Sequence, residues 1–180
     1  MKHNKTWTNT ILVLSLLFCG CDGIYCDSCF DLIYKNNADY PISVYSILIP
    51  PHEELTPIVY PDTSLPDMCN STYIVDIAPR GYKLYSCEGD LIPSIYRSYH
   101  ADTISIFIFS TDTLHLHGWD SVQKSYNILQ RYDISVGEYK YLIEKIPGLD
   151  FMCFPPSPEM KGIKMWPPYG TYDSLGHRRQ

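Results

Sequence analysis

Apolar positions fall first into one short unbroken run and then into a series of strand-length blocks. Residues 11–18 are apolar throughout except for Ser15. Blocks at 30–34, 42–49, 72–77, 82–87 and 104–109 follow, rich in Ile, Val, Tyr and Phe and bounded by Asn-Asn, Pro-Pro, Pro-Asp and Arg-Gly. That composition with those breakers predicts five β-strands. Residues 104–109 are nearly continuous in apolar character, which predicts a central strand buried on both faces. After Gly118 the period changes: Trp119, Val122, Tyr126 and Leu129 recur at helical spacing with polar residues between them. Ser135-Val136-Gly137-Glu138 has the form of a capping box and predicts a second helix start, with Tyr139, Leu142 and Ile143 facing the core and Pro147 ending it. Residues 151–169 are rich in proline and aromatics and read as an edge strand or ordered loop. The expected fold is mainly β, with α+β as its variant: a β-sandwich-like domain with two short C-terminal helices and a Pro/aromatic-rich tail.

The first apolar run is too short to span a bilayer, which takes about 20 residues. It follows Lys2, His3 and Lys5, with no acid before Asp22. A basic start and a short apolar core read as a signal peptide. The run ends in Leu16-Leu17-Phe18-Cys19-Gly20-Cys21, without an A-x-A cleavage site. This stretch resembles a bacterial lipobox, in which a small residue precedes a cysteine that takes a diacylglycerol thioether; Gly20 fits that place and Cys21 is the acceptor it implies. Phe18 stands where the usual pattern has Leu. The expected organisation is a lipoprotein signal peptide at 1–20, a tether at 21–29, one β-rich domain at 30–170 and a flexible tail at 171–180.

Cleavage after Gly20 removes Lys2 and Lys5 and no acid, leaving 12 Lys and Arg against 20 Asp and Glu. That acidic balance argues against a nucleic-acid partner. Five cysteines lie beyond Cys21, an odd number, so at least one thiol is free or paired between chains. An oxidising compartment permits disulfides, and Cys69 with Cys87, near turn signals at the ends of neighbouring strand blocks, is the expected pair.

A second resemblance rests on Asn36-Asn37, Pro61-Asp62-Thr63-Ser64-Leu65, Trp119-Asp120, the run from Ile128 to Ser135 and Ile163-Lys164-Met165-Trp166-Pro167-Pro168-Tyr169. Together these are similar to a group of small extracytoplasmic lipoproteins of unknown function in Bacteroidetes-type bacteria. The likeness covers most of the mature chain, each piece being short. It implies location, a lipid-anchored place in the cell envelope at the outer membrane, and architecture; it implies no activity and no binding residues.

Chemistry-bearing motifs are sparse. Cys26-Asp27-Ser28-Cys29 has C-x-x-C spacing but precedes the first strand and lacks a second ligand pair, so it reads as a structural or tether-local disulfide. His115 and His117, taken as extended, share one face and could offer two metal ligands, with His100 or Asp102 as a third; two solvent-facing histidines is the simpler reading. No G-x-S-x-G elbow or Gly-rich phosphate loop occurs, and a non-enzymatic protein without a cofactor is expected. Among 16 Tyr and three Trp, most suit half-buried strands; Trp119, Trp166 and Tyr169 are the candidate exposed binders, while Trp166 is expected instead to pack near the helix face of Trp119, Val122, Tyr126 and Leu129 as part of a structural wrap. Asp102-Thr103-Ile104, Asp112-Thr113-Leu114, Asp120-Ser121-Val122 and Asp173-Ser174-Leu175 resemble the O-glycosylation triplet of Bacteroidetes, and Asn70-Ser71-Thr72 has the N-glycosylation form. Two function classes follow. The first is a lipid-anchored structural or binding module with an envelope protein or glycan as partner. The second is an envelope metal-dependent enzyme, or metal-binding protein, using His115 and His117.

Overall fold

A computed structural model describes residues 29–46, 61–65, 74–88, 102–145 and 152–180. Their order is β1 (Cys29–Asn36), β2 (Ile42–Ser46), β3 (Ile74–Ile77), β4 (Tyr82–Glu88), β5 (Thr103–Ser110), α1 (Thr111–His117), α2 (Trp119–Ser125), β6 (Gln130–Ser135), α3 (Val136–Lys145), β7 (Met152–Phe154), a 3-10 turn (Pro158–Gly162) and β8 (Lys164–Trp166). The strands form a three-stranded sheet, β4-β1-β7, and a five-stranded sheet, β3-β2-β5-β6-β8. All pairings are antiparallel except β1 with β7. The fold is mainly β within the α+β class.

Alternation along β5 decides how the layers stack. Ile104, Ile106 and Ile108 join Ile42, Val44, Tyr132 and Ile134 in one buried cluster, to which Tyr34, Met152 and Phe154 of the smaller sheet also belong. Phe107 and Phe109 point the other way, into a second cluster with Tyr45, Leu114, Val122 and Ile128. The five-stranded sheet is thus covered by the smaller sheet on one face and by α1 and α2 on the other. Its central strand is buried along both faces, as its apolar run predicts. Each such side chain contributes roughly 1.5–3 kcal/mol by leaving water.

Chain reversals between the sheets are held by Asn36, Gly81 and the turn at Ala78. Gly81 N–H donates to Ala78 O at 3.0 Å and Arg80 N–H to Ala38 O at 3.2 Å, closing the corner between β3 and β4. The capping box forms as expected. Ser135 N–H donates to Glu138 Oε2 at 2.8 Å and Glu138 N–H to Ser135 Oγ at 3.2 Å. Tyr139 and Leu142 of α3 are buried.

Three elements differ from expectation. The helix opening at Trp119 ends at Ser125, because Tyr126 turns left-handed (φ 50°); Leu129 therefore packs on the opposite cluster from Val122. Residues 111–117 are helical, since Ser110 caps the start (Thr113 N–H to Ser110 Oγ, 3.3 Å) and Asp112 lies in the first turn. The helices are therefore three among the described residues, interleaved with strands instead of following them. Residues 171–180, expected as a flexible tail, fold back on the domain. Tyr172 bridges Arg178, Asp39 N–H donates to Leu175 O at 3.1 Å, and Tyr40 Oη donates to Gly176 O at 2.6 Å. No helix among the described residues is long and apolar enough to cross a membrane.

Candidate functional site

The outer face of the five-stranded sheet, beyond the reach of α1, carries charge in place of hydrocarbon. β6 reads Gln-Arg-Tyr-Asp-Ile-Ser, and its alternation puts Tyr132 and Ile134 into the core and Arg131 and Asp133 on the opposite face. β8 lies alongside, with Trp166 opposite Arg131 and Lys164 opposite Asp133. Gln130 Nε2 donates to Pro167 O at 2.7 Å and fixes the chain just past Trp166.

Arg131 and Asp133 are almost fully buried, only 3% and 5% exposed, and such a pair is tolerable only if its polar atoms are satisfied. Arg131 Nε donates to Asp133 Oδ1 at 2.8 Å, and Ser105 Oγ donates to the same oxygen at 2.7 Å. Arg131 Nη1 donates to Pro61 O at 2.8 Å, and the guanidinium carbon sits 5.5 Å from the centroid of Phe107. Lys164 Nζ reaches Asp133 Oδ2 at 3.2 Å and Asp62 Oδ1 at 3.7 Å. Burial alone would lower the Arg131 pKa; its hydrogen bonds to Asp133 and Tyr126, with their charges, outweigh that and hold it above the ordinary value. The Lys164 ammonium is likewise raised, chiefly by its hydrogen bond to Asp133.

In front of this floor lies a cavity of about 340 Å³ lined by Asp62, Thr63, Tyr126, Met165 and Trp166 together with the charged residues. The Tyr126 and Trp166 rings stand 5.7 Å apart, centre to centre, at 50°. Two wall residues have left-handed backbones without being glycine, Thr63 (φ 62°) and Tyr126 (φ 50°). A β-branched residue rarely adopts that region, and such strain concentrates where side chains are held for a ligand. The cavity brings together two cations, two anions and two aromatic planes. Its charges pair with one another, and Trp166 stands half exposed beside them, an arrangement suited to binding.

The residues singled out by sequence scatter. Trp166 is half exposed and lines this cavity, whereas Tyr169 lines a different cleft. Trp119 is no exposed platform: it packs on Tyr45 and Phe109 at 5.9 and 5.6 Å between centroids. Because α1 is a helix, His115 and His117 are turned about 200° apart around its axis rather than sharing a face. His115 Nε2 instead meets Asp76 Oδ2 at 3.4 Å. Among the described residues no three His, Cys, Asp or Glu side chains converge as metal ligands. Cys153 is buried, with its Sγ 3.7 Å from Met160 Sδ; Cys87 lies in β4 opposite Phe30, while Cys21, Cys26 and Cys69 lie outside the described residues. Sequence reasoning passed over Arg131, Asp133, Lys164, Asp62 and the pocket role of Tyr126. The signal that could have found them is the i, i+2 spacing of Arg131 with Asp133 and of Lys164 with Trp166, which puts each pair on one strand face.

No protein-family model, no curated protein and no solved structure matches the chain.

Proposed function

We propose that the chain is a lipid-anchored, non-enzymatic protein of the cell envelope that binds a neutral saccharide in the cavity lined by Tyr126 and Trp166. The observation that carries this reading is the pairing of two aromatic planes with a charge-compensated, hydrogen-bonded floor. An ionic ligand that paired with Arg131 or Asp133 would break their ion pair and leave one of them buried and unpaired, which is strongly unfavourable. A sugar ring makes no such demand. Its C–H face stacks on Trp166, and its hydroxyls both donate to Asp62 and accept from Lys164. The cavity lies at the small end of the usual range for ligand sites, about 300–1,000 Å³.

The N-terminal part of the proposal rests on Gly20-Cys21 after the short apolar run. Cys21→Ser abolishes metabolic lipid labelling and detergent partitioning, whereas Cys19→Ser leaves both; persistent partitioning of Cys21→Ser refutes the anchor. For the pocket, calorimetric titration with neutral oligosaccharides tests the reading. Trp166→Ala weakens binding at least about tenfold, equivalent to 1.4 kcal/mol. Since Trp166 is half exposed, its melting temperature moves little. Equal affinity in wild type and Trp166→Ala, or no binding by either, removes the saccharide assignment.

A further inference from the structure

A second cleft, of about 540 Å³, opens where the β3–β4 corner, the Pro155–Pro158 segment and the C-terminal hairpin meet. Arg80 and Arg179 both line it, from chain segments far apart in sequence, and Tyr169 forms part of its wall. Neither arginine makes a salt bridge with any described residue. Asp173 is the one carboxylate among the lining residues; the amides of His177 and Leu175 and the charges of His177 and Arg179 hold its pKa below the ordinary value. Its Oδ1 accepts the amides of Leu175 at 2.8 Å and His177 at 2.9 Å, shaping its own turn. The cleft therefore sets two arginines against one carboxylate in a chain whose net charge is −6. In the Trp166 cavity, by contrast, cations and anions are equal in number.

Backbone and side-chain details at the cleft point the same way. Arg80 is the third non-glycine residue with a left-handed backbone (φ 58°) among the described residues, after Thr63 and Tyr126. It occupies the third position of the Ala78–Gly81 turn, behind Pro79, where glycine is the low-strain residue. The turn thus carries a strained arginine where a glycine would serve the fold better. Ser157 is a further, half-buried polar residue of the lining.

We infer that this cleft is an anion site for a ligand carrying a phosphate or carboxylate group, held by Arg80 and Arg179 with Tyr169 against its neutral part. The site is separate from the Trp166 cavity, so the two readings stand or fall independently. Titration with inorganic phosphate, glucose 6-phosphate and glucuronate tests it, with glucose as the neutral control. Wild type binds the three anions and not glucose at this site, and binding weakens as salt rises. Arg80→Gly is the informative variant, because it removes the guanidinium while relieving the left-handed backbone. It lowers affinity for glucose 6-phosphate at least about tenfold with an unchanged or raised melting temperature. Arg179→Gln lowers affinity to a similar extent, and both variants keep any neutral-saccharide binding that depends on Trp166. Co-sedimentation with phosphatidylglycerol vesicles, using wild type and Arg80→Gly with Cys21→Ser in both, separates a lipid phosphate from a soluble one. Arg80-dependent sedimentation assigns the anion to a headgroup, and Arg80-dependent binding of the soluble anions alone assigns it to a free ligand. If neither anions nor vesicles bind, or if Arg80→Gly binds them as wild type does, the inference is overturned.

Discussion

Asn36 is fully buried at the end of β1, and every polar atom of its side chain is in use. Its Nδ2 donates to Tyr40 O at 2.8 Å, Ala78 O at 3.0 Å and Ile77 O at 3.2 Å, while its Oδ1 accepts Ala38 N–H at 2.9 Å. One amide thereby ties both corners where the chain passes between the sheets, the β1–β2 link and the β3–β4 link. Asn36→Ala takes a donor from those three carbonyls, of which Ala78 O keeps the Gly81 amide, and the acceptor from Ala38 N–H, and costs about 2–4 kcal/mol. Asn36→Asp is worse, because it replaces the donor by a carboxylate facing three carbonyl oxygens. Urea denaturation checks the order, and an Asp variant as stable as wild type would contradict the hub role. The dipeptide Asn36-Asn37 is visible in the sequence as a break after a strand. Its side-chain partners are not, because two of them lie 41 and 42 residues away.

Elements whose signal is local were readable, and those whose signal is shared with distant residues were not. β5 announces itself by six consecutive buried residues, five of them apolar, and α3 by a capping box that closes within four residues. β6 carries the same alternation as any strand, but one of its faces holds Arg131 and Asp133, which look like solvent residues until Ser105, Pro61 and Lys164 are brought to them. Hydrophobic period alone therefore could not separate β6 from the end of the preceding helix. α1 was hidden for a related reason. Thr111 to His117 contains β-branched and polar residues of modest helix propensity, and its start depends on the Ser110 cap and its end on Gly118 at φ 72°. The candidate site inherits this limit: Trp166 could be chosen as an aromatic beside prolines, but the charged floor in front of which it stands belongs to β6.

At the scale of the whole molecule, the C-terminal hairpin links segments that the sheets leave apart. Gly176 sits where a Cβ would come within 2.7 Å of Ala38 Cβ and 3.0 Å of Tyr40 Oη, at a φ of 86° that favours glycine. Such closeness explains why a polar stretch that reads as a tail is held in place. Tyr40 Oη donates to Gly176 O at 2.6 Å, Tyr172 Oη to Leu129 O at 2.7 Å and Tyr132 Oη to Cys153 O at 2.7 Å. All three phenols resist ionisation. Burial, helped by Tyr172, Asp39 and Asp173, pushes Tyr40 up to about 12. Burial raises Tyr172 against a small opposing effect of Arg178, and raises Tyr132 well above its ordinary value. In the unfolded chain these groups ionise near pH 10, so above that pH the unfolded state holds fewer protons than the native one. Stability is then fully present below pH 10 and is lost as pH rises towards and through 12 for Tyr40. Urea midpoints taken between pH about 9 and about 11.5 should fall steadily. Tyr40→Phe costs about 0.5–1.5 kcal/mol at neutral pH by removing one hydrogen bond, and it makes that alkaline fall shallower. A wild-type midpoint that stays flat over this range, or a Tyr40→Phe curve parallel to wild type, would show that the hairpin does not depend on the Tyr40 proton.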